Sequence, residues 1–252
     1  MKATVINDHF AVFDDVLAEE DMRAFWQMFL HAPLRHVHAD GLRDYYRPSD
    51  GLPYTGGNVA WTAVPADTLL PANIPREALK AQFYPTGDAL DPVFDALQRA
   101  ARQCTDIVGQ AGHDYVGVLA RLYAYPAGTR ISWHSDADDC TGAFIFYGNP
   151  SWRVEWGGEL LIADRAARHA LPRKAFHDFD NDHESAVLLR QGMGHYVMPR
   201  PGRLVLLGAG TPHAVEKVLP AAGDHVRASF AGFFMTGAGT TSLIQNWLQN
   251  AQ

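Results

Sequence analysis

Two imidazoles and a carboxylate are the residues of this chain whose types and spacing suit metal chemistry. His134 and Asp136 stand one residue apart at the end of the apolar run in RISWHSDADDC. Alternate residues of a strand share a face, so the pair offers a nitrogen and an oxygen to one ion while Ser135 points away. The pair by itself decides nothing. With 12 histidines in the chain, a His-x-Asp triplet is expected by chance roughly once. A second copy, His38-Ala39-Asp40, sits in the polar stretch RHVHADGLRDYY, where no strand pattern holds the two side chains together. A third donor discriminates between them. His213 follows a Gly-Thr-Pro turn and enters the short strand-like segment TPHAVEKV. Two histidines and one carboxylate on one side of an ion leave three positions open for substrates, a donor set suited to non-haem Fe(II).

A cation completes the constellation. In HVRASFAGFFM, residues 225–235, Val226, Ala228, Phe230 and Phe234 alternate onto one face, which leaves Arg227 and Ser229 together on the other. If that face looks into a barrel, the guanidinium is buried and needs an anion, because its desolvation is otherwise very costly. The anion is either an internal Asp or Glu, or a ligand carboxylate gripped in bidentate geometry.

These residues need a scaffold, and the chain is long enough for one. At 252 residues with 47% hydrophobic content, it can bury a large core as a single domain, residues 1–252. The N-terminus lacks a basic segment followed by a long apolar run, and no stretch has the length to span a bilayer. A soluble, unexported protein with no membrane partner is expected. Cys104 and Cys140 are the only cysteines, too few for a disulfide framework and in keeping with a reducing cytoplasm. A net charge of −7 disfavours a nucleic-acid partner. The sequence does not give the oligomeric state.

Along the chain, residues 1–112 read as an α/β support region. A strand-like segment covers Thr4 to Phe13, and Met22, Phe25, Trp26 and Phe29 recur at helical spacing within Ala18 to Leu30. One apolar stripe from Val93 to Val108 predicts a second helix over Asp91 to Gly109. From 113 to 236 the period becomes that of strands, and short apolar runs are separated by Pro and Gly, the pattern of a jelly roll. A polar interruption at 164–195 reads as an insertion over one end of the barrel. A short helix is expected at about 240–250. The tyrosine-rich loop around 42–54 and the insertion supply candidate substrate contacts: Tyr45, Tyr46, Arg47, Arg165 and Arg168.

With these segments in place the sequence resembles the iron(II)- and 2-oxoglutarate-dependent dioxygenases, in the branch similar to prolyl 4-hydroxylases and related small-molecule hydroxylases. The likeness runs over about residues 115 to 236. It is carried by RLYAYPAGTRISWHSD, by FIFYGNPSWRVEWGGEL taken as a hairpin, by PRPGRLVLLGAGTPHAVEKV and by HVRASFAGFF. The resemblance implies a mainly β fold with flanking helices around a double-stranded β-helix, the cupin-like jelly roll. It implies His134, Asp136 and His213 as Fe(II) ligands and O2 as cosubstrate. Arg227, fourteen residues after His213, would hold the far carboxylate of 2-oxoglutarate, with Ser229 beside it. A tyrosine on the strand before His-x-Asp would also contact 2-oxoglutarate, Tyr123 being preferred to Tyr125. Trp156 to Leu160, WGGEL, is expected as a structural strand. The implied activity is hydroxylation of an unactivated C–H bond of a small molecule, an amino acid or natural-product precursor. The alternatives are a peptidyl or protein prolyl-type hydroxylase and a cupin-like metal protein without 2-oxoglutarate chemistry.

Overall fold

The computed structural model describes residues 2–39, 46–64, 81–177 and 182–241. The described strands are β1 (Ala3–Ile6), β2 (Phe10–Phe13), β3 (Arg35–His36), β4 (Tyr54–Thr55), β5 (Asn58–Thr62), β6 (Ala81–Phe83), β7 (Gly117–Tyr125), β8 (Ile131–His134), β9 (Cys140–Tyr147), β10 (Leu160–Ala163), β11 (Gly194–Val197), β12 (Leu204–Gly208), β13 (His213–Val215) and β14 (Arg227–Met235). The described helices are α1 (Glu19–His31), α2 (Asp91–Ala101), α3 (Thr105–Val108), α4 (Arg165–Ala170) and α5 (Asp182–Gln191).

The strands form two sheets. The larger runs β1-β2-β12-β9-β14-β7-β4-β3, with β5 also paired to β7 and β6 to β5; the smaller runs β11-β10-β13-β8. Alternation then sorts the side chains. One face of the larger sheet carries Val12, Ala143, Ile145, Tyr147, Val205 and Leu207, which pack with Leu160, Ile162, Val197 and Val215 of the smaller sheet. This apolar layer between two sheets, antiparallel except for the β5–β6 pair, is the interior of the expected double-stranded β-helix. The opposite face presents Phe13, Phe144, Phe146, Leu206, Phe230 and Phe234 to Phe25 and Phe29 of α1 and to Val93, Phe94 and Leu97 of α2. Each aromatic buried there contributes about 1.5–3 kcal/mol. The fit is tight at Gly148, where any Cβ would overlap the Phe25 ring.

α1 forms where the helical spacing predicted, with Glu19, Glu20 and Asp21 in its first turn and His31 in its last, charges that suit the helix dipole. Four expectations need correction. The segment from Thr4 to Phe13 is two strands, β1 and β2, paired antiparallel as a hairpin. The helix expected over Asp91 to Gly109 stops at Ala101 and restarts at Thr105, because Cys104 leaves helical geometry at φ −128°, ψ 39°. FIFYGNPSWRVEWGGEL is not a hairpin: β9 pairs with β12 and β14, whereas β10 pairs with β11 and β13 in the other sheet. Asn149 secures this crossing, its side chain donating to Val226 O at 2.7 Å and accepting from Ala228 N at 2.8 Å. The insertion also ends earlier than residue 195. Gly194 and His195 already lie in β11, opposite Ala163 and Ile162.

The N-terminal region does more than support, since β2 pairs with β12 and both β4 and β5 pair with β7. The helix expected at about 240–250 falls almost wholly on residues outside those described. No helix among the described residues is long and apolar enough to cross a membrane.

Candidate active site

The two candidate histidines meet because of strand register. β8 and β13 run antiparallel with His134 opposite His213, and their ring centroids are 4.2 Å apart. Asp136 follows β8 and places a carboxylate oxygen 3.6 Å from His213 Nε2. One donor atom from each of the three residues lies within 4.8 Å of the other two.

Both rings are buried and held alike. His134 Nδ1 lies 2.8 Å from Ser132 O, and His213 Nδ1 lies 2.9 Å from Thr211 O. A carbonyl only accepts, so each Nδ1 donates, and it is each Nε2 that is left to face the other donors. Burial, followed by the neighbouring His213, pushes the pKa of His134 down to about 4 against the pull of Asp136. The imidazole is therefore neutral near pH 7, the state a metal requires. Two imidazole nitrogens and a carboxylate fit Fe(II). The other triplet does not assemble: His38 lies in a 3-10 turn, Val37–Ala39, and Asp40 is outside the described residues.

Residues 173–177 of the insertion line one side of this centre. Ser135, pointing away from the donors, pairs its backbone with Phe176 at 3.0 and 3.2 Å and donates its hydroxyl to Lys174 O at 2.9 Å. The His177 ring stacks 6.3 Å from that of His134. Gly210 N donates to Asp136 O at 2.6 Å, tying the carboxylate's backbone to the turn that leads into His213.

Arg227 enters the same interior from the larger sheet. It is 1% exposed and donates from Nε to Gly158 O at 2.8 Å. Its guanidinium lies over the rings of Tyr147 and Tyr125, with 4.8 and 5.3 Å to their centroids. Among the described residues no carboxylate pairs with it, and Arg227 Nη2 and Tyr147 Oη are both buried without a hydrogen-bond partner. A desolvated cation with an idle donor beside an idle hydroxyl is an arrangement that a ligand carboxylate completes. Ser229 is buried on the same face, opposite both Tyr123 and Tyr147.

Of the two tyrosines considered on the strand before His134, Tyr125, the register partner of Arg227, lies against the guanidinium; Tyr123 lies one same-face position farther along, its ring centroid 6.4 Å from that of Tyr125. The Tyr125 hydroxyl is engaged with Tyr46 at 2.7 Å. Of the other candidate contacts, Arg165 pairs with Asp8 at 2.9 Å. Arg168 donates to Ala209 O and Thr211 Oγ1, each at 3.3 Å. Tyr45 lies outside the described residues.

Sequence reasoning missed two residues here. Tyr147 ends the interior stripe Ala143, Ile145, Tyr147, and a polar hydroxyl closing an apolar alternation was the available signal. Gly158 belongs to WGGEL, expected as a strand; instead Trp156 ends a 3-10 turn and only Leu160 begins β10. Gly158 has φ +78°, and a Cβ there would stand 2.9 Å from Arg227 Cδ, so its lack of a side chain makes room for the arginine.

A family model described as the 2OG-Fe(II) oxygenase superfamily matches residues 120–235. No curated protein matches the chain in sequence. Among solved structures the chain is similar to a prolyl-4-hydroxylase from Pseudomonas putida, with 17% identity, 91% of this chain and 94% of that one covered, and a TM-score of 0.54. It is also similar to a prolyl hydroxylase from Trichoplax adhaerens in complex with a hypoxia inducible factor peptide fragment. There the identity is 14%, the coverage 94% of this chain and 87% of that one, and the TM-score 0.55. At such identities the likeness is one of fold.

Proposed function

We infer, for a chain whose residues 120–235 belong to the 2OG-Fe(II) oxygenase superfamily, that this non-haem Fe(II)- and 2-oxoglutarate-dependent oxygenase hydroxylates an unactivated C–H bond of a small molecule, an amino acid or natural-product precursor. His134, Asp136 and His213 would hold the iron. Arg227 would hold the far carboxylate of 2-oxoglutarate, with Tyr147 and Ser229 beside it and Tyr123 and Tyr125 on the adjoining strand. The observation that carries this reading is the buried guanidinium of Arg227, which has no internal carboxylate among the described residues and shares the barrel with the His-Asp-His cluster. A cupin-like metal site without 2-oxoglutarate has no use for such a cation.

Bound iron and 2-oxoglutarate supply, with O2, the oxidation: the cosubstrate is converted to succinate and carbon dioxide while the substrate gains one oxygen atom. The chain's own residues do the positioning. Ser132 O and Thr211 O fix the two imidazole rings, and the apolar layer from Ile145 to Val215 keeps water from the interior. Gly158 O orients the Arg227 side chain, so that its remaining donors are aimed before the ligand arrives. Residues 173–177 wall one side of the cluster, which supports a small substrate. The buried free thiols of Cys104 and Cys140 accord with a reducing compartment such as the cytoplasm.

Succinate release tests this. Free amino acids and their derivatives are compared with proline-containing peptides, with iron and 2-oxoglutarate present. The expected result is stimulation by a small molecule and formation of its hydroxylated product. Stimulation by peptides alone would overturn the substrate class and leave the reaction class standing.

A further inference from the structure

The residue whose carbonyl orients His134 is itself held, through its side-chain hydroxyl, by a charged group from a distant part of the chain. Asp50, at the end of the 3-10 turn Pro48–Asp50, is 1% exposed. The turn uses one of its carboxylate oxygens, Oδ2, which accepts Arg47 N at 3.0 Å. The other oxygen, Oδ1, serves β8: it accepts Ser132 Oγ at 2.5 Å and Arg130 Nε at 3.1 Å. The Asp50 carbonyl also accepts Arg130 N at 2.9 Å. One residue therefore grips the strand on both sides of Ile131, and Ser132 shares its face of β8 with His134.

We propose that Asp50 is a positioning residue for the iron site, acting through Ser132 on His134. The proposal rests on the reading of His134 as an iron ligand. Among the described residues the Nδ1 of His134 has one partner, the Ser132 carbonyl, so the aim of Nε2 follows that carbonyl. A carboxylate clamped on the Ser132 hydroxyl keeps the carbonyl in place when the metal is absent. Groups that orient a ligating imidazole in this way commonly govern metal affinity. His213 has a looser counterpart: Thr211 Oγ1 accepts Arg168 Nε at 3.3 Å and donates to His9 O at 3.5 Å. The short, charge-assisted contact is on the side of His134, the histidine that ends β8 two residues before Asp136.

The experiment is an anaerobic Fe(II) titration in competition with a metallochromic chelator, on Asp50→Asn, Ser132→Ala, the double variant and His134→Ala, each below its melting temperature. Asp50→Asn is expected to weaken Fe(II) binding by about 10- to 100-fold, Ser132→Ala to weaken it in the same direction, and the double variant to lose no more than the worse single one. The 2-oxoglutarate requirement at saturating iron should stay as in the wild type, a split that general loosening of the fold would not produce. Wild-type iron affinity in both single variants, with affinity lost in His134→Ala, overturns the positioning role alone. Retained affinity in His134→Ala overturns the ligand assignment and this proposal with it. Should Asp50→Asn fail to fold, Ser132→Ala decides: weakened iron binding supports the role and unchanged binding overturns it.

Discussion

At the scale of single residues, the informative atoms are those left without a partner. Arg227 Nη2 and Tyr147 Oη are buried and idle, and they make separable predictions. Arg227→Ala should raise the 2-oxoglutarate concentration needed for half-maximal succinate formation by more than about tenfold, since truncating one side of a desolvated charge pair costs about 2–5 kcal/mol. Its anaerobic Fe(II) affinity should not change, because the contacts of the guanidinium among the described residues are with Gly158, Tyr125 and Tyr147 and with none of the candidate metal donors. Tyr147→Phe deletes a hydroxyl whose sole close polar neighbour among the described residues is the Arg227 guanidinium, without a well-formed hydrogen bond, so its melting temperature should stay close to that of the wild type. Its cosubstrate requirement should still rise about tenfold or more, the worth of a hydrogen bond to a charged group, about 1.5–3 kcal/mol. Saturation curves and thermal melts on the two variants measure both effects. If Tyr147→Phe melts lower and binds 2-oxoglutarate normally, the hydroxyl is part of the fold and no part of the site.

At the scale of elements, the joint between β2 and β12 brings the N-terminal hairpin onto the barrel, with Phe13 opposite Leu204. An ion pair sits at this joint. Arg203 donates from Nε to Asp14 Oδ1 at 2.6 Å and from Nη2 to Oδ2 at 3.2 Å, and Arg200 Nη1 lies 3.2 Å from Oδ2. Burial raises the pKa of Asp14, but the Arg203 hydrogen bonds and charge, with help from Thr4 and Arg200, outweigh it and leave the carboxyl below its usual range. A depressed folded-state pKa stabilises the protein above the unfolded-state value of about 3.9. That contribution is lost as the pH falls below it and through the folded pKa. Asp14→Asn should therefore lower stability by about 1.5–3 kcal/mol at pH 7. It should also make the acid limb of the stability profile shallower. Urea midpoints measured from pH 7 to pH 3 test this, and parallel acid limbs for variant and wild type would remove Asp14 from the role.

At the scale of the whole molecule, the site is closed by segments far apart in the chain. The 46–50 stretch contributes Tyr46 to Tyr125 and Asp50 to β8, and the insertion pairs Phe176 with Ser135 between two of the candidate metal donors. Long connections over a catalytic mouth tend to tighten when ligands bind. Binding Mn(II), as an inert stand-in for iron, together with 2-oxoglutarate should slow hydrogen exchange at the amides of Ser135 and Phe176 relative to those of the outer hairpin, Ala3 to Phe13. Mass-resolved exchange on peptides covering 131–140 and 171–177 provides the measurement. Unchanged exchange there, with ligands shown to be bound, would mean that this wall is already rigid.

What could be read in the sequence was local, and its reach follows from the physics of local patterns. Helical spacing places Phe25 and Phe29 on one stripe of α1, and strand alternation places His134 with Asp136 and Arg227 with Ser229, because side-chain direction depends only on neighbouring backbone geometry. The candidate cluster followed from that alternation and the resemblance together. Which strand pairs with which was not legible. Asn149-Pro150-Ser151 looks like the turn of a hairpin, yet β9 and β10 part into different sheets, since a turn signal marks a change of direction and does not name the partner. Tyr147 and Asp50 escaped notice for the same reason. A tyrosine at a strand end and an aspartate in a Pro-Ser-Asp turn are ordinary until register sets one against Arg227 and packing sets the other against Ser132. The sequence by itself determined the donor types, their faces and the class of fold. Only the tertiary structure decided that His213 stands opposite His134, that Arg227 has no internal carboxylate among the described residues, and which tyrosines lie against it, because each of these depends on contacts between segments whose separation along the chain carries no record of their meeting.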